Sequence, residues 1–528
     1  MTLRLLLILD SWGPFYFIFS HLASYNRIVE TDDFKSPLPP RRVNVPDTQT
    51  STSVPSVANV PSETNTPVES VLPKKKIRKS PPFLLFGLIG AILVGLALLV
   101  YFVIIPSLKT KKIEPITLTY WGLWEDSSVL QGLISEFETK NPEIKIKYKK
   151  NDKTDYRSRL AGRLTKDPLL EEVPDIFRIH SSWLPMFTDM LAPVPSTSVT
   201  AINLDQDFYA VYKNDLKMGN SYYAVPLMYD GLTLFYNKDL IQKGGVELPK
   251  SWWDLQTTGA KLTVRDESGN IQIAGVAMGL TDNVDHWSDI LGLLLRQNGA
   301  DILKDNPDND AKIKDVLSYY VNFRSKYQTW DETLPPSTQL FAQGKLAFYI
   351  APSWRVFNIE ELNPNLSFEI TTVPQLPTLQ DISASSANSM ANLTNIHWAT
   401  YWAEAVNSKS KHQKEAWKFI EFLTSKDSLE KMYTAASQIR SFGEIYPRIS
   451  MAEKISSNPK LKPFLETANN AQSGYLSSNT YDSGLNSELS KYFSDAVNGL
   501  IINNSDSTAI MTALKNGLNQ VVQKYHLK

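Results

Sequence analysis

Two adjacent pairs of aromatic and acidic residues carry chemistry that suits ligand binding. Trp124 precedes Glu125, and Tyr229 precedes Asp230. An aromatic face covers an apolar surface such as the face of a sugar ring, while a carboxylate accepts hydrogen bonds from hydroxyl groups. A peptide or a polyamine would be held by the same groups, so the residue types alone leave the ligand class open.

The first pair follows a predicted strand. Ile116, Leu118 and Tyr120 alternate with polar residues, and helical spacing of apolar residues begins at Val129. Strands that alternate with helices in this way predict α/β layering over a mainly parallel sheet. Ligands of such sheets bind beyond the carboxyl ends of the strands. This rule makes the residues after the first and third strands candidate ligand contacts: Trp124, Glu125, Arg178, His180, Ser181 and Trp183. The alternatives are a core Trp124 with a surface Glu125, and a Trp183 on the inward face of its helix.

The second pair lies at a bend in the segment YYAVPLMYDGLTLFYNKDL, residues 222–240. Two runs with a period of two residues meet at Asp230-Gly231, which is a turn signal, and Asn237 is a predicted cap for a helix that begins at Lys238. The local pattern fits two core strands joined by a tight turn. It also fits a strand that leaves one compact unit and enters another, with Tyr229 and Asp230 beside a hinge.

Composition excludes several classes of protein. The 528 residues allow roughly two to four domains or one large two-lobed unit. The net charge of −1 does not suggest a nucleic-acid binder. The absence of cysteine excludes disulfides, thiolate catalysis, cysteine-ligated metals and a lipid-modified cysteine as a tether.

Motifs of enzymes are absent from the sequence. The six histidines, at 21, 180, 286, 397, 412 and 526, include no pair with the i, i+4 spacing of a helical zinc site. Neither a GxxxxGK[ST] loop nor a GxGxxG loop is present. We therefore expect no catalytic residue, no metal and no cofactor.

The N-terminal part differs from the rest of the chain in its amino-acid composition. Residues 31–73 are rich in Pro, Ser, Thr and Asn, which predicts disorder, and residues 1–30 fit an interfacial segment or residues before the true start. The segment 83–105 has 23 residues without a charge, enough to span a hydrocarbon core of about 30 Å. Five basic residues in 74–79 precede it. This predicts a single-pass protein of the cell membrane, with a cytoplasmic tail 1–82, a linker 106–113 and an extracellular remainder.

Seven stretches from residue 114 onward resemble the extracellular solute-binding proteins of ABC importers, the family that includes maltose-binding proteins. In family order these are ITLTYWGLWED, FETKNPEIKIKY, VPDIFRIHSSWLPMF with LAPV, YAVPLMYDGLTLFYNKDL, LPKSWWDL, FAQGKLAFYIAPSW and KEAWKFIEFLTS. The resemblance implies a type II periplasmic-binding-protein-like α/β fold. Its first lobe would take 114–228 and 352–401, and its second lobe 229–351 and 402–528. The lobes would close on a sugar or oligosaccharide by a hinge motion and dock on a membrane permease.

The resemblance also implies further ligand contacts. The family often stacks a ring on the ligand after the return crossing, which is the position of Trp354. The neighbouring Arg355 departs from the usual sugar-site pattern and allows an anionic group. The remaining candidates of this kind lie at the last crossing, in the second lobe and in a late loop: Trp398, Tyr401 with Trp402, Trp287 and Arg440.

Two other functions fit the same sequence. A membrane-anchored carbohydrate-active hydrolase would need two carboxylates at catalytic distance in the cleft. A sensor subunit would report the closed form to a membrane kinase. Turnover of a glycan distinguishes the first from a binding protein, and gene neighbourhood distinguishes the second.

Overall fold

A computed structural model describes residues 83–104, 114–166, 172–376, 394–502 and 506–527. The tail predicted for 1–82 and the linker predicted for 106–113 lie outside these ranges. The chain divides into two compact units, Met1–Ala97 and Leu98–Lys528.

The described part of the apolar segment, 83–104, contains two types of helix. It is α-helical over Phe83–Leu99 and π-helical over Val100–Ile104. Within the described part of the chain, no helix combines the length and the apolar character needed to cross a membrane. The predicted membrane-spanning helix 83–105 therefore has no support from the structure.

The larger unit contains short strands and many helices. Its strands are β1 (Ile116–Gly122), β2 (Ile144–Lys150), β3 (Ile176–His180), β4 (Lys217–Met218), β5 (Ser221–Tyr222), β6 (Val225–Pro226), β7 (Thr233–Asn237), β8 (Val264–Arg265), β9 (Ile271–Val276), β10 (Leu346–Ala351), β11 (Phe368–Thr371), β12 (His397–Trp398), β13 (Trp402–Val406) and β14 (Ala471–Gln472). Its α-helices span Ser127–Lys140, Tyr156–Leu164, Leu184–Phe187, Ser196–Ile202, Leu204–Asp207, Ala210–Leu216, Lys238–Gly244, Trp252–Leu262, Trp287–Gln297, Pro307–Ser325, Ser337–Ala342, Arg355–Leu362, Gln413–Leu423, Lys426–Ser437, Lys462–Ala468, Leu485–Ile502 and Ser507–Lys524.

The first large sheet has the strand order β2-β1-β3-β13-β6. β1 is parallel to β2 and β3, and β13 is antiparallel to both β3 and β6. Leu118 and Tyr120 of β1 are fully buried, as their alternation predicts. On the edge strand β2, Lys145 and Lys147 form ion pairs at the surface with glutamates of neighbouring segments.

The second large sheet has the order β11-β7-β10-β9-β8. β10 is parallel to β9 and antiparallel to β7, which also pairs antiparallel with β11. Strands and helices of both sheets bury a continuous apolar core. The predicted α/β fold is confirmed. The prediction of a mainly parallel sheet is wrong for the second sheet, in which only β9 and β10 pair in parallel.

The strand pairing corrects the predicted division into lobes. The segment 352–401 was assigned to the first lobe, but β11 lies within it and pairs with β7 of the second sheet. The segment 402–528 was assigned to the second lobe, but β13 begins it and lies between β3 and β6 of the first sheet. Backbone hydrogen bonding between residues distant in the chain decides membership of a sheet, and local periodicity does not reveal it.

The segment 222–240 runs from one sheet to the other. β6 belongs to the first sheet and β7 to the second, so the bend at Asp230-Gly231 is a crossing and not the turn of a hairpin. The side chain of Asn237 accepts a hydrogen bond from the backbone N–H of Leu240 at 3.1 Å, which confirms the predicted helix cap. Ser251 and Asp254 form a capping box at the start of the helix Trp252–Leu262.

Candidate functional site

A cavity of about 280 Å³ lies where segments from both large sheets meet. It receives side chains from the loops after β1 and β3, from the bend before β7, from the segment after β10 and from the crossing between β12 and β13. The predicted contacts that line it are Trp124, His180, Asp230, Trp354, Tyr401, Trp402 and Arg440. Of these, Trp124 and His180 were predicted from the rule that ligands lie beyond the ends of strands.

Trp124 presents an accessible ring to the cavity. It is 36% exposed, and its ring meets the edge of Trp402, which also lines the cavity, at 5.3 Å between centroids. Trp402 in turn contacts the rings of His180 and Trp183 at 5.2 and 5.1 Å. One wall of the cavity is thus a chain of edge-to-face aromatic contacts, which keeps ring planes at defined angles.

Arg178 and Glu125 pair with each other and do not line the cavity. The Nη1 atom of Arg178 is bonded to Glu125, and its Nε donates to Oε1 of Glu404 at 2.8 Å. Arg178 is 2% exposed, and its guanidinium lies 5.0 Å from the centroid of the Trp124 ring. Burial raises the pKa of Glu404, against the lowering effect of Arg178. Neither side chain lines the cavity, so the structure does not place Arg178 and Glu125 as the direct ligand contacts that were predicted.

His180 lies in the cavity wall as a neutral imidazole. Burial lowers its pKa to about 4. Its Nδ1 is 2.7 Å from Oγ of Ser182, and its Nε2 is 3.1 Å from Oγ1 of Thr400. Ser181 and Trp183 are buried outside the cavity lining, and Trp183 stacks on Phe187 with centroids 5.8 Å apart. For Trp183, the alternative of an inward-facing core residue is correct.

The Asp230 carboxylate lines the cavity but is already saturated by protein donors. It accepts hydrogen bonds from the N–H of Gly231 at 2.7 Å and from the N–H and Oγ of Ser353, each at 2.9 Å. Burial raises its pKa to about 7. Tyr229 is buried against Tyr209, with ring centroids 5.1 Å apart, and does not line the cavity. Asp230 therefore joins two crossing segments, whereas Tyr229 belongs to the core.

Trp354 lines the cavity, and the side chain of Arg355 packs against the Trp354 ring. The guanidinium of Arg355 lies 4.3 Å from the centroid of the Trp354 ring. Its Nε donates to Nε2 of His286 at 2.9 Å, and its Nη2 is 3.7 Å from Oδ1 of Asp285. Arg355 is absent from the cavity lining, so its predicted role towards an anionic ligand group is not realised in this geometry. Trp287 begins the helix Trp287–Gln297 and packs against the core outside the cavity lining.

The candidate residues of the last crossing and the late loop differ in whether they line the cavity. Trp398 is 1% exposed and donates from Nε1 to Asp289 at 2.9 Å, so it is a core residue. Tyr401 lines the cavity, with its hydroxyl bonded to Oδ2 of Asp215 at 2.7 Å. Arg440 bonds Glu444 at 2.7 Å, and its buried Nε has no hydrogen-bond partner among the described residues.

Many of the lining residues were not in the predicted set. These are Lys153, Met228, His286, Asp289, Pro352, Phe357, Asn358, Thr400, Glu444, Ser478, Asn479 and Tyr481. One of them carried a signal, because Lys153 follows the end of β2 in the first sheet. Asn479 and Tyr481 have φ values of 55° and 53°, in the left-handed region, on a loop without any periodic pattern.

The arrangement is suited to binding a small organic ligand. Aromatic rings alternate with neutral imidazoles, hydroxyls and carboxyls around a cavity large enough for a small organic ligand. Among the described residues, no cluster of three or more histidine, aspartate or glutamate side chains has the geometry of a metal site.

Two mixed sheets that meet at such a cavity are the architecture of a ligand-binding protein. The family model of the bacterial extracellular solute-binding proteins matches residues 132–463, more than half of the chain, and the chain belongs to this family. The resemblance drawn from the sequence motifs is thereby confirmed at the level of the family.

Relatives and solved structures agree with this assignment. A multiple sugar-binding protein of Streptococcus mutans is 22% identical over 334 residues, which cover 61% of this chain and 74% of the relative. The sugar-binding protein MalE from Xanthomonas citri has a similar fold, with a TM-score of 0.61, 17% identity and coverage of 78% of this chain and 98% of that one. An ABC transporter solute-binding protein from Thermotoga lettingae, bound with α-D-tagatose, has a TM-score of 0.57, 20% identity and coverage of 77% and 100%.

Proposed function

We propose that this protein captures a sugar or oligosaccharide in the cavity and delivers it to the permease of an ABC transporter. The observation that carries the proposal is the pair of accessible rings, Trp124 and Trp354, which border one cavity from segments that follow strands of different sheets. Indole faces cover the apolar faces of sugar rings, and the hydroxyl groups and the Arg440 side chain in the cavity lining meet the polar edges. The sugar-binding relatives support this ligand class.

The proposed capture is a closure of two lobes about the crossings. The bend at Asp230-Gly231 connects β6 of the first large sheet to β7 of the second. The crossing between β12 and β13 leads into the first sheet and is hydrogen-bonded to this bend. A rotation about these segments changes the distance between Trp124 and Trp354, since they are carried by different sheets. Ligand held by both rings stabilises the closed form, which the permease recognises.

We also propose that the binding unit acts outside the cytoplasm, at the surface of the cell membrane with the N-terminus inside. This location is supported by the description of the family as extracellular and by the basic residues at 74–79. Attachment to the lipid bilayer through 83–105 has no support from the described helices. Protease treatment of intact cells tests the location: loss of the region after 114 supports it, and full protection contradicts it.

Thermal-shift measurements on the full chain test the ligand class. Maltotetraose, mannotriose and α-D-tagatose should raise the melting temperature, because a ligand that binds the folded state alone stabilises it by mass action. Peptides and polyamines should not. Trp354→Ala should abolish the shift, whereas Trp253→Ala is the matched control, since Trp253 is 58% exposed and absent from the cavity lining.

Three outcomes would contradict the proposal. One is no shift with any sugar together with slow turnover of a glycan, which would indicate a hydrolase. A second is a shift with a polyamine or a peptide in place of the sugars. A third is an undiminished sugar shift in Trp354→Ala, which would place the ligand elsewhere.

A further inference from the structure

Both tryptophans proposed for sugar stacking carry an arginine against one ring face. The Arg178 guanidinium lies 5.0 Å from the centroid of Trp124, and that of Arg355 lies 4.3 Å from the centroid of Trp354. Neither arginine lines the cavity. Each ring is therefore covered on one side by a cation, and the ring itself borders the cavity.

Arg178 is locked in place by two carboxylates. Its Nε and Nη2 donate to Oε1 of Glu404 at 2.8 and 2.5 Å, and its Nη1 is bonded to Glu125. The three side chains come from three separate segments, and all are buried, with side-chain exposures of 2%, 1% and 9% for Arg178, Glu404 and Glu125. A planar guanidinium held at all three nitrogens has little freedom to rotate. Its position against Trp124 is thus determined by the core of the first sheet.

Arg355 is held on the opposite side of the cavity by different partners. Nε2 of His286 accepts from its Nε at 2.9 Å, so the imidazole carries its proton on Nδ1, which lies 2.8 Å from Oγ of Ser478. Asp285 supplies the negative charge at 3.7 Å, and Asp285 is itself bonded by Thr338. The side chain of Arg355 is 14% exposed.

We propose that Arg178 and Arg355 are positioning residues, which fix the ring planes of Trp124 and Trp354 so that both meet a ligand without reorientation. The inference rests on the proposed function for its ligand. The arginines act through the rings, because neither arginine lines the cavity itself. A partly exposed indole without such support samples several rotamers, and ordering it on binding costs affinity. The cation–π contact removes that cost before the ligand arrives.

Near-UV circular dichroism of the full chain tests the positioning without any ligand. The difference between the spectra of wild type and Trp124→Phe isolates the signal of a fixed Trp124 ring. We expect most of this difference to be lost when it is measured in an Arg178→Met, Glu404→Gln background, which removes one charge of each sign. The corresponding difference for Trp354→Phe should be lost in Arg355→Met. If the Arg178→Met, Glu404→Gln protein does not fold, the comparison in Arg355→Met still tests the proposal, because Arg355 is less buried than Arg178.

Arg448 is the matched control. It is also a buried arginine, bonded to Asp207 at 2.7 Å and 4.5 Å from the ring of Phe208, but it is absent from the cavity lining. Arg448→Met should lower stability and leave both tryptophan difference spectra unchanged. If Arg448→Met reduces them as much as the cavity variants do, the effect is general loosening and the positioning role is overturned.

Affinity for maltotetraose then tests the consequence by a double-mutant cycle. Arg355→Met should weaken binding up to about tenfold in wild type, the equivalent of one good aromatic contact. In a Trp354→Phe background, where the supported indole is gone, the same change should weaken binding by less than about twofold. Equal losses in both backgrounds would mean that Arg355 acts independently of the ring. If the tryptophan difference spectra are unchanged in the arginine variants, the positioning role is overturned. If the spectra change as expected but the protein binds no sugar, only the proposed function is overturned.

Discussion

The carboxylate of Asp230 accepts two hydrogen bonds from Ser353, one from its backbone N–H and one from its hydroxyl, both at 2.9 Å. The two residues are 123 positions apart in the chain. Asp230 follows the last strand segment of the first sheet before the bend, and Ser353 follows β10 of the second sheet. A single side chain therefore ties together two crossing segments at the wall of the cavity.

Removing the hydroxyl of Ser353 should loosen this tie. Ser353→Ala leaves Oδ2 of Asp230 without its donor in a buried place, and an unsatisfied buried polar group costs about 1–3 kcal/mol. Urea unfolding of the full chain measures the loss. Ser268→Ala is the control, because Ser268 is exposed, and its effect should stay within about 0.5 kcal/mol. Equal stabilities of the two variants would contradict the assignment.

The protonation of Asp230 should make stability depend on pH near neutrality. Burial raises its pKa from 3.8 to about 7, so the folded chain holds this proton more tightly than the unfolded chain does. The contribution to stability is fully present below pH 3.8 and is lost as the pH rises through about 7. The free energy of unfolding of wild type should fall over this range relative to Asp230→Asn, which cannot titrate.

Asp215 offers a comparison for the pH experiment. Burial raises its pKa to about 6, so the component that Asp215→Asn removes should be lost at a lower pH than the component of Asp230. Urea titrations at a series of pH values measure both. Parallel pH profiles for wild type and Asp230→Asn would show that Asp230 does not titrate in the folded range.

Gly231 should not tolerate a side chain. A Cβ atom there would lie 2.2 Å from the backbone oxygen of Trp398, to which the crossing is hydrogen-bonded through Leu232. Such overlap with backbone forces a shift that costs about 1–3 kcal/mol. Gly132→Ala is the control, since Gly132 is an exposed helical glycine with open space around it, and alanine there should stabilise by about 0.5–1 kcal/mol. Thermal unfolding that shows no difference in sign between the two variants would contradict this.

Trp398 should affect stability and not ligand choice. Trp398→Phe deletes the Nε1–H that bonds Asp289 at 2.9 Å in the core, which costs about 1–3 kcal/mol. The ranking of sugars by thermal shift should stay the same, because Trp398 does not line the cavity and the lining residue Asp289 is still held by the N–H of Ser478 at 3.0 Å. Trp253→Phe, at a surface position, controls for the loss of an indole. A changed ranking would return Trp398 to the binding site.

Local periodicity predicted the elements well and their partners poorly. The alternation around Leu118 and Leu234 identified strands that the structure contains, because burial of one face leaves a period of two in the sequence. The position of β13 in the first sheet has no such trace. The membership of β13 depends on pairing with residues more than two hundred positions away, such as the hydrogen bond from the N–H of Ser181 to the carbonyl oxygen of Tyr401 at 3.0 Å.

The side chains of the candidate site could also be predicted only in part from the sequence. Strand ends located Trp124 and His180, since parallel strands bring their carboxyl ends to one edge. Sequence spacing did not distinguish Trp402, which lines the cavity, from Trp398, which is in the core. Nor did it show that Arg178 is neutralised by Glu404, 226 positions away. Whether a charged side chain is free for a ligand depends on tertiary pairing.

The place of β13 in the first sheet also has a consequence for biosynthesis. All strands of the second large sheet have been made once residue 371 has left the ribosome, whereas the first sheet lacks an interior strand until residue 406 emerges. Until then β3 and β6 have no strand between them to join them. The part of the chain that is translated first is therefore the part whose sheet is completed last, and during this interval its unpaired strand edges are available to chaperones.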